Sequence, residues 1–110
     1  MTARLLYVTA PNVAEAERIG EALVQERLVA CANILGPIAS IYWWQGKVQR
    51  DAEAVLIAKT RADLVERVVA RVKELHSYTV PCVVSLAIEQ GNADFLSWIA
   101  AETAPDGAKA

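Results

Sequence analysis

The chain has 110 residues and a mass of 11.9 kDa, which is the size of one domain and leaves no room for a separate regulatory domain. Eleven basic against thirteen acidic residues give a formal net charge of -2, so no basic surplus is available to neutralise a nucleic-acid backbone. Hydrophobic residues make up 55% of the chain, a high fraction for a small core, although twenty of them are alanines, which helices carry on solvated faces at little cost. The remaining apolar excess needs a second surface to cover it.

The sequence shows no full membrane or secretory signal. No apolar run reaches the roughly 20 residues of a transmembrane helix, and the short run at residues 5–8 lacks the length of a secretory h-region. Cys31 and Cys82 form no CxxC pair and are too few for a disulfide framework, so we expect reduced thiols. These features predict a cytoplasmic protein that binds neither a membrane nor nucleic acid.

The first half of the chain is predicted to form a strand, a helix and a second strand. Residues 5–9 are a short apolar run typical of a buried strand. Asn12, with Glu15 three residues later, is a typical N-cap for the amphipathic helix that follows. Residues 29–44 are then rich in β-formers, and Gly36-Pro37 predicts that this strand lies at an edge or carries a bulge.

A long hairpin is predicted in the middle of the chain. Residues 45–47 have the composition of a tight turn, and residues 48–59 run back as the third strand. The polar first half of this strand is expected to extend beyond the body, whereas the apolar run at 54–58 is typical of a central strand covered on both faces.

The last third of the chain contains two further helices and a strand. Thr60 and Asp63 resemble the capping box of a helix whose apolar stripe spans residues 64–75. Residues 82–88 are predicted to form a buried strand, and Asn92 is placed to cap a short C-terminal helix.

The order β-α-β-β-α-β with an added C-terminal helix is the ferredoxin-like, split βαβ pattern of the α+β class. We expect a single domain over residues 1–110, an antiparallel sheet and a disordered tail at about 104–110. Right-handed crossovers place both main helices on one face of the sheet and leave the other face bare.

Aromatic residues near the tip of the hairpin predict self-association. Because side chains alternate between the faces of a strand, Tyr42 and Trp44 point to one side and Trp43 to the other. A monomer would expose large aromatics on at least one face, which is typical of an interaction surface. We therefore expect a closed homo-oligomer. The alternative is that the helices and the tail cover one aromatic and that the other is a tolerated surface residue.

Five segments resemble, in order and spacing, the CutA family of divalent ion tolerance proteins. They are ACANI at 30–34, SIYWWQGKV at 40–48, LIAKT at 56–60, HSYTVP at 76–81 and FLSWI at 95–99. The resemblance spans about residues 7–103. It implies a ferredoxin-like protomer, an interlocked homotrimer with long hairpin arms, a cytoplasmic location in bacteria and an association with tolerance to copper and other divalent metals. No enzymatic reaction is settled for that family, and its trimer is similar to that of the PII signalling proteins, which suggests small-molecule sensing by analogy only.

This chain departs from the family pattern at two positions. The family commonly has His-Pro-Tyr-x-x-Pro-Glu where this chain has His76, Ser77, Tyr78, Pro81 and Cys82. The change at 77 removes a rigid turn residue, and the change at 82 replaces a carboxylate by a soft metal ligand.

Three residues are candidate metal ligands, namely Cys31, His76 and Cys82, because thiolate and imidazole suit copper and zinc. They lie far apart in the sequence, so symmetry would have to gather them from different protomers. The alternatives are that both cysteines are small buried hydrophobes and that His76 caps a helix C-terminus. We expect copper or another divalent metal, and no organic cofactor.

A second group of residues could line a cleft between subunits for a small anionic ligand. Its members are Tyr42, Trp44, Lys59, His76 and Tyr78. Lys59 ends an apolar strand, where a lone cation is costly unless it is paired or solvated. The alternative is that Lys59 reaches the surface or pairs with a carboxylate such as Glu89, and that the aromatics are interface core.

The predicted residues of the oligomer interface are Trp43, Arg50 and Glu53. The segment at 50–53 is either a solvated arm or a site of salt bridges between protomers. A catalytic role would need His76 to activate Cys31 or Cys82. No oxyanion motif, phosphate loop or carboxylate pair accompanies either cysteine, so we expect a protein that is not an enzyme.

Overall fold

The structure, a computed structural model, describes residues 2–103. Its elements are β1 (Ala3–Ala10), α1 (Val13–Gln25), β2 (Cys31–Trp44), β3 (Lys47–Arg61), a 3-10 turn (Ala62–Leu64), α2 (Val65–Leu75), β4 (Val83–Ile88) and α3 (Ala93–Glu102). This order confirms the predicted fold, and the predicted tail at 104–110 lies outside the described residues. None of the helices found in this range is long and apolar enough to cross a membrane.

The four strands form one sheet in the order β2-β3-β1-β4. Every neighbouring pair is antiparallel, and Leu6 of the central strand β1 pairs with Ala58 of β3 on one side and Ser85 of β4 on the other. The strands that follow each other in sequence across α1 and α2 are therefore not hydrogen-bonded neighbours, as the split βαβ pattern requires.

The main core lies between the sheet and the pair α1 and α2. Leu6 and Leu56 from the sheet and Ile19 and Val68 from the helices are at most 1% exposed. At Gly20 the backbone of α1 comes so close to the sheet that an added Cβ would lie 3.1 Å from Leu56 Cδ1. The apolar side chains of the sheet and of the two helices therefore pack together as one buried layer.

The opposite face of the sheet is only partly covered. α3 packs over one end of it, where Ile99 forms a small second core with Ala3 and Ala30. Further along this face Leu35, Val84 and Leu86 remain about half exposed. The predicted bare face is thus present on the outer strands β2 and β4.

Two of the predicted helix caps are confirmed and one is wrong. The Glu15 amide donates to Asn12 Oδ1 (2.8 Å), and the Asp94 amide donates to Asn92 Oδ1 (2.9 Å). Thr60, however, lies buried inside β3 and its hydroxyl donates to the Leu28 carbonyl (2.6 Å). The strand continues to Arg61, and the helical turn begins at Ala62 without a side-chain cap.

β2 and β3 form the predicted long hairpin, paired from Cys31 with Lys59 at the base to Trp44 with Lys47 at the tip. The register shifts between Leu35 and Ile38, so the predicted irregularity at Gly36-Pro37 is confirmed. At the tip Gln45 and Gly46 both have positive φ, the combination that a two-residue hairpin turn requires.

Candidate ligand-binding site

A cavity of about 740 Å³ opens on the face of the sheet that α1 and α2 leave bare, between the outer hairpin and the segment 77–82. Its lining residues are Thr9, Ser40, Ile41, Tyr42, Trp44, Asp51, Glu53, Ser77, Tyr78, Thr79, Val80 and Cys82. The cavity is large enough for a small organic molecule, and it combines aromatic, carboxylate and hydroxyl groups.

Two tyrosine–carboxylate pairs organise this cavity. Tyr42 Oη donates to Asp51 Oδ2 (2.5 Å), and Tyr78 Oη donates to Glu53 Oε2 (2.6 Å). The hydrogen bond to Asp51 raises the pKa of Tyr42, and burial together with the bond to Glu53 raises the pKa of Tyr78 further. Both phenols therefore remain protonated near neutral pH and act as donors.

Glu53 is the buried carboxylate of the site, with only 8% of its surface exposed. Among residues 2–103 no cationic side chain forms a salt bridge with it, and its hydrogen-bond donor is Tyr78. Within the chain the structure places it in the cavity lining, and its predicted place at an interface between protomers stays a prediction.

His76 holds the segment that carries Tyr78 against the sheet. Its Nε2 lies 2.7 Å from the Thr9 carbonyl, and its Nδ1 accepts the Tyr78 amide (3.0 Å). This arrangement assigns the proton of the neutral ring to Nε2. The residue is at the C-terminus of α2 as predicted, but both of its nitrogens are occupied by groups of its own chain.

Ser77 makes two hydrogen bonds that a proline at this position could not make. The Ser77 amide and hydroxyl both donate to Glu15 Oε2, each at 2.9 Å. Burial alone would raise the pKa of Glu15, but these two bonds, with His76 and Arg18 nearby, lower it below its usual value. Ser77 thus fixes the turn by hydrogen bonding, where proline would fix it by its ring.

The three candidate metal ligands are not brought together within one chain. Cys82 is exposed and lines the cavity, whereas Cys31 is half-buried at the base of the hairpin, where its Sγ lies 3.9 Å from Lys59 Nζ. No group of three or more His, Cys, Asp and Glu side chains forms a possible metal site in the part of the chain that the structure describes.

The predicted cleft of five residues is divided by the structure. Tyr42, Trp44 and Tyr78 line the cavity, but Lys59 and His76 do not. Lys59 Nζ donates to Asn33 Oδ1 (3.3 Å) and lies 5.9 Å from the centre of the Phe95 ring. The reason is distance along the strand, since Lys59 is six positions after Glu53 on β3, about 20 Å at an ordinary strand rise. Its partner is thus Asn33, and the suggested ion pair with Glu89 is not formed.

Asp51 is the site residue that sequence reasoning undervalued. It was noted only as part of a charged arm, yet the register pairs it with Ser40 and places it on the same face as Tyr42. A two-residue turn at 45–46 fixes this pairing, so the turn was the signal that could have revealed it. Trp43 is on the other face and is 74% exposed, and Arg50 is exposed as well.

Comparisons with known proteins agree with this geometry. The profile of the family described as "CutA1 divalent ion tolerance protein" matches residues 4–102. The divalent-cation tolerance protein CutA of Archaeoglobus fulgidus is 46% identical over 94 residues, covering 86% of this chain and 91% of that protein. CutA of Pyrococcus horikoshii is 42% identical over 99 residues, covering 90% and 96%.

Solved structures give the same result. The CutA1 structure from Oryza sativa superposes with a TM-score of 0.91 at 43% identity, covering 94% of each chain. The Archaeoglobus fulgidus structure, described as a periplasmic divalent cation tolerance protein CutA, gives a TM-score of 0.89 at 42% identity, covering 92% of this chain and 98% of that one. The chain belongs to the CutA1 divalent ion tolerance family.

Proposed function

We propose that the protein contributes to tolerance of divalent metal ions, chiefly copper, as a cytoplasmic homotrimer that binds metal without catalysing a reaction. Membership of a divalent ion tolerance family supports the role in tolerance. The observation that carries metal binding is the exposed Cys82 thiol, which shares a cavity with the carboxylates of Asp51 and Glu53. Thiolate is a soft ligand that suits copper and zinc.

A complete metal site on this proposal needs more than one copy of the chain. One protomer does not assemble three ligands within residues 2–103, whereas three-fold symmetry brings equivalent side chains together. Cys82 is the first proposed ligand because it is exposed. Cys31 and His76 are the second and third, and His76 would have to give up one of its present hydrogen bonds.

The proposed trimer is supported by the apolar surface that one chain leaves open. Leu35, Val84 and Leu86 on the bare face are about half exposed, and Trp43 on the hairpin is 74% exposed. Apolar surface of this kind is typical of an interface. The exposed Arg50 is then available for contacts between arms. Sedimentation velocity should give the mass of a trimer, and a stable folded monomer at micromolar concentration would contradict the proposal.

The non-catalytic character of the proposal rests on His76. Each of its ring nitrogens is engaged by a backbone group, so the imidazole is not free to activate Cys31 or Cys82. Turnover that disappears in Cys82→Ser while the assembly persists would overturn this part.

Metal titration tests the ligands directly. Wild type, Cys82→Ser, Cys31→Ser and His76→Ala are titrated with Cu(I), Cu(II) and Zn(II) in competition with a chelator. We expect Cys82→Ser to lower the affinity at least about tenfold, a loss of about 1.4 kcal/mol, and Cys31→Ser to lower it less. Unchanged affinity in all three variants would contradict the assignment.

A second candidate function is favoured by the cavity itself. A volume of about 740 Å³ lined by aromatic and polar groups exceeds the needs of a bare ion and suits a small organic ligand. We propose as the alternative that the protein is a trimeric small-molecule sensor or scaffold that regulates a partner protein. A thermal-shift panel of cationic, zwitterionic and anionic metabolites tests it, and absence of any stabilisation in the wild-type protein would contradict it.

The cytoplasmic location is the remaining part of the proposal. Cys31 and Cys82 are both free thiols, the state that the cytoplasm maintains. Because the similar Archaeoglobus fulgidus protein is described as periplasmic, the location needs its own test. Cell fractionation should recover the protein with cytoplasmic markers, and recovery with periplasmic markers would contradict the proposal.

A further inference from the structure

The charged groups that this chain contributes to the cavity lining are acidic. Asp51 and Glu53 are its ionisable carboxylates, and within the part of the chain that the structure describes no Lys, Arg or His side chain lines it. Lys59, the cation that sequence reasoning placed there, lies at the base of the hairpin with Asn33. An anion entering the cavity would meet like charges without compensation, whereas a cation would be attracted.

The two carboxylates are held ready to accept further hydrogen bonds. Tyr42 and Tyr78 each occupy one oxygen, Oδ2 of Asp51 and Oε2 of Glu53. The second oxygen of each carboxylate retains its lone pairs. Since the residues are two apart on one strand, both point to the same face with their Cα atoms about 7 Å apart. The site therefore offers two fixed acceptors at a defined spacing.

Aromatic rings supply the other half of the recognition chemistry. Tyr42, Trp44 and Tyr78 line the same cavity as the carboxylates, together with the apolar side chain of Val80. The negative face of an aromatic ring attracts ammonium and guanidinium groups, and apolar walls suit the carbon chain between such groups. A bare metal ion would use neither feature.

We propose that this cavity binds a small organic cation, an alkyl diamine or an aminoalkyl guanidine, with its two charged groups on Asp51 and Glu53 and its carbon chain against the aromatic rings. This inference rests on the small-molecule function proposed above and names the class of its ligand. It reverses the charge of the ligand that the sequence suggested, because the basic residue of that prediction is outside the cavity.

Calorimetry on the assembled protein tests the inference. Putrescine and agmatine are the cationic probes, and succinate, a dicarboxylate of similar length to putrescine, is the matched anion. We expect the two cations to bind and succinate to give no heat of binding. Asp51→Asn and Glu53→Gln each keep an oxygen that can accept the hydrogen bond from the tyrosine hydroxyl, but each removes the negative charge. Each should lower the affinity for putrescine and agmatine about tenfold.

A matched control separates this effect from net charge. Glu66 is exposed in the first turn of α2 and outside the cavity lining, so Glu66→Gln removes the same charge and should leave the affinity unchanged. Equal losses in Glu66→Gln and Asp51→Asn would overturn the inference. Cys82→Ser should keep amine binding while it loses metal, and loss of both in that variant would show a metal-dependent site and also overturn the inference.

The remaining outcomes distinguish the ligand class from the function. Tight binding of succinate or another anion, with no binding of either cation, overturns the cation assignment and leaves the small-molecule function standing. Absence of binding across the whole panel of cationic, zwitterionic and anionic metabolites overturns both.

Discussion

The two ends of the β2–β3 hairpin behave as different kinds of structure although they are parts of the same strands. At the base, Leu56 is sealed against α1 and α2 and is fully buried. Beyond the register shift at 35–38, Trp43 is 74% exposed and Val48 is 59% exposed. A two-stranded ribbon alone is marginally stable in water, and these exposed side chains add little to a core of their own chain. The body is stabilised by its own core, whereas the exposed apolar side chains of the outer hairpin suit the interface proposed above.

The largest expected effect is a loss of stability on substitution in the core of the body. Leu56→Ala removes a fully buried side chain at the point where Gly20 lets α1 approach the sheet. We expect it to lower the free energy of unfolding by about 2–5 kcal/mol, from lost burial and the cavity left behind. Val48→Ala, on the outer hairpin, should cost the protomer less than about 1 kcal/mol because its side chain is exposed. Chemical denaturation of both variants checks the comparison, and similar losses would contradict the division into two regions.

The same division explains which features the sequence could predict. Inside the body, continuous apolar runs predicted the strands that carry Leu6 and Leu56, and helical periodicity predicted the buried face that carries Val68, so local patterns predicted the fold. Thr60 was misassigned because a threonine three residues before an acidic residue has the composition of a cap. Its burial beside Leu28 depends on the strand continuing two residues further than predicted, to Arg61.

The site was harder to predict because its pairs depend on contacts between distant segments. Tyr78 and Glu53 are 25 residues apart, and Ser77 and Glu15 are 62 apart, so neither contact has a local signature. Lys59 is on the same face of β3 as Glu53, as alternation predicts. It is nevertheless outside the cavity because it lies too far along the strand from Glu53. The odd or even position of a residue in a strand decides which face its side chain is on, but residues of one site must also lie close together.

The second prediction concerns a substitution that disrupts the proposed interface between protomers on the bare face. Leu86→Lys places a charge on that face, where Leu86 is 53% exposed, and should dissociate the assembly without unfolding the protomer. Ala70→Lys, at an exposed position of α2, is the control and should leave the assembly intact. Sedimentation velocity gives the mass of each variant.

Hydrogen exchange on the same two variants shows what dissociation does to each region. Amides of the outer hairpin should exchange at least about tenfold faster in Leu86→Lys, which corresponds to about 1.4 kcal/mol, while amides of α1 keep their protection. Equal acceleration in both regions would mean that the protomer has unfolded as a whole, which contradicts the division.

The smallest effect concerns the junction between body and cavity, where Glu15 on α1 receives both hydrogen bonds from Ser77. Because the pKa of Glu15 is lowered in the folded state, its carboxylate contributes stability above the unfolded value of 4.5 and loses that contribution as the pH falls through the lower folded value. Glu15→Gln should therefore cost about 1 kcal/mol near pH 7, and the difference from wild type should shrink as the pH falls below 4.5.

Glu17→Gln provides the control for that measurement, since Glu17 is an exposed carboxylate on the same helix. Urea denaturation from about pH 7 down to about pH 3 should give a pH-dependent difference for Glu15→Gln, and a difference of at most a few tenths of a kcal/mol for Glu17→Gln. If the two variants followed the same pH profile, the effect would belong to the net charge of the helix. If only the Glu15→Gln difference depends on pH, the Glu15 carboxylate stabilises the fold through its hydrogen bonds to Ser77, which also lines the cavity. Ser77 then joins the body to the site at the position where the family resemblance implies a proline.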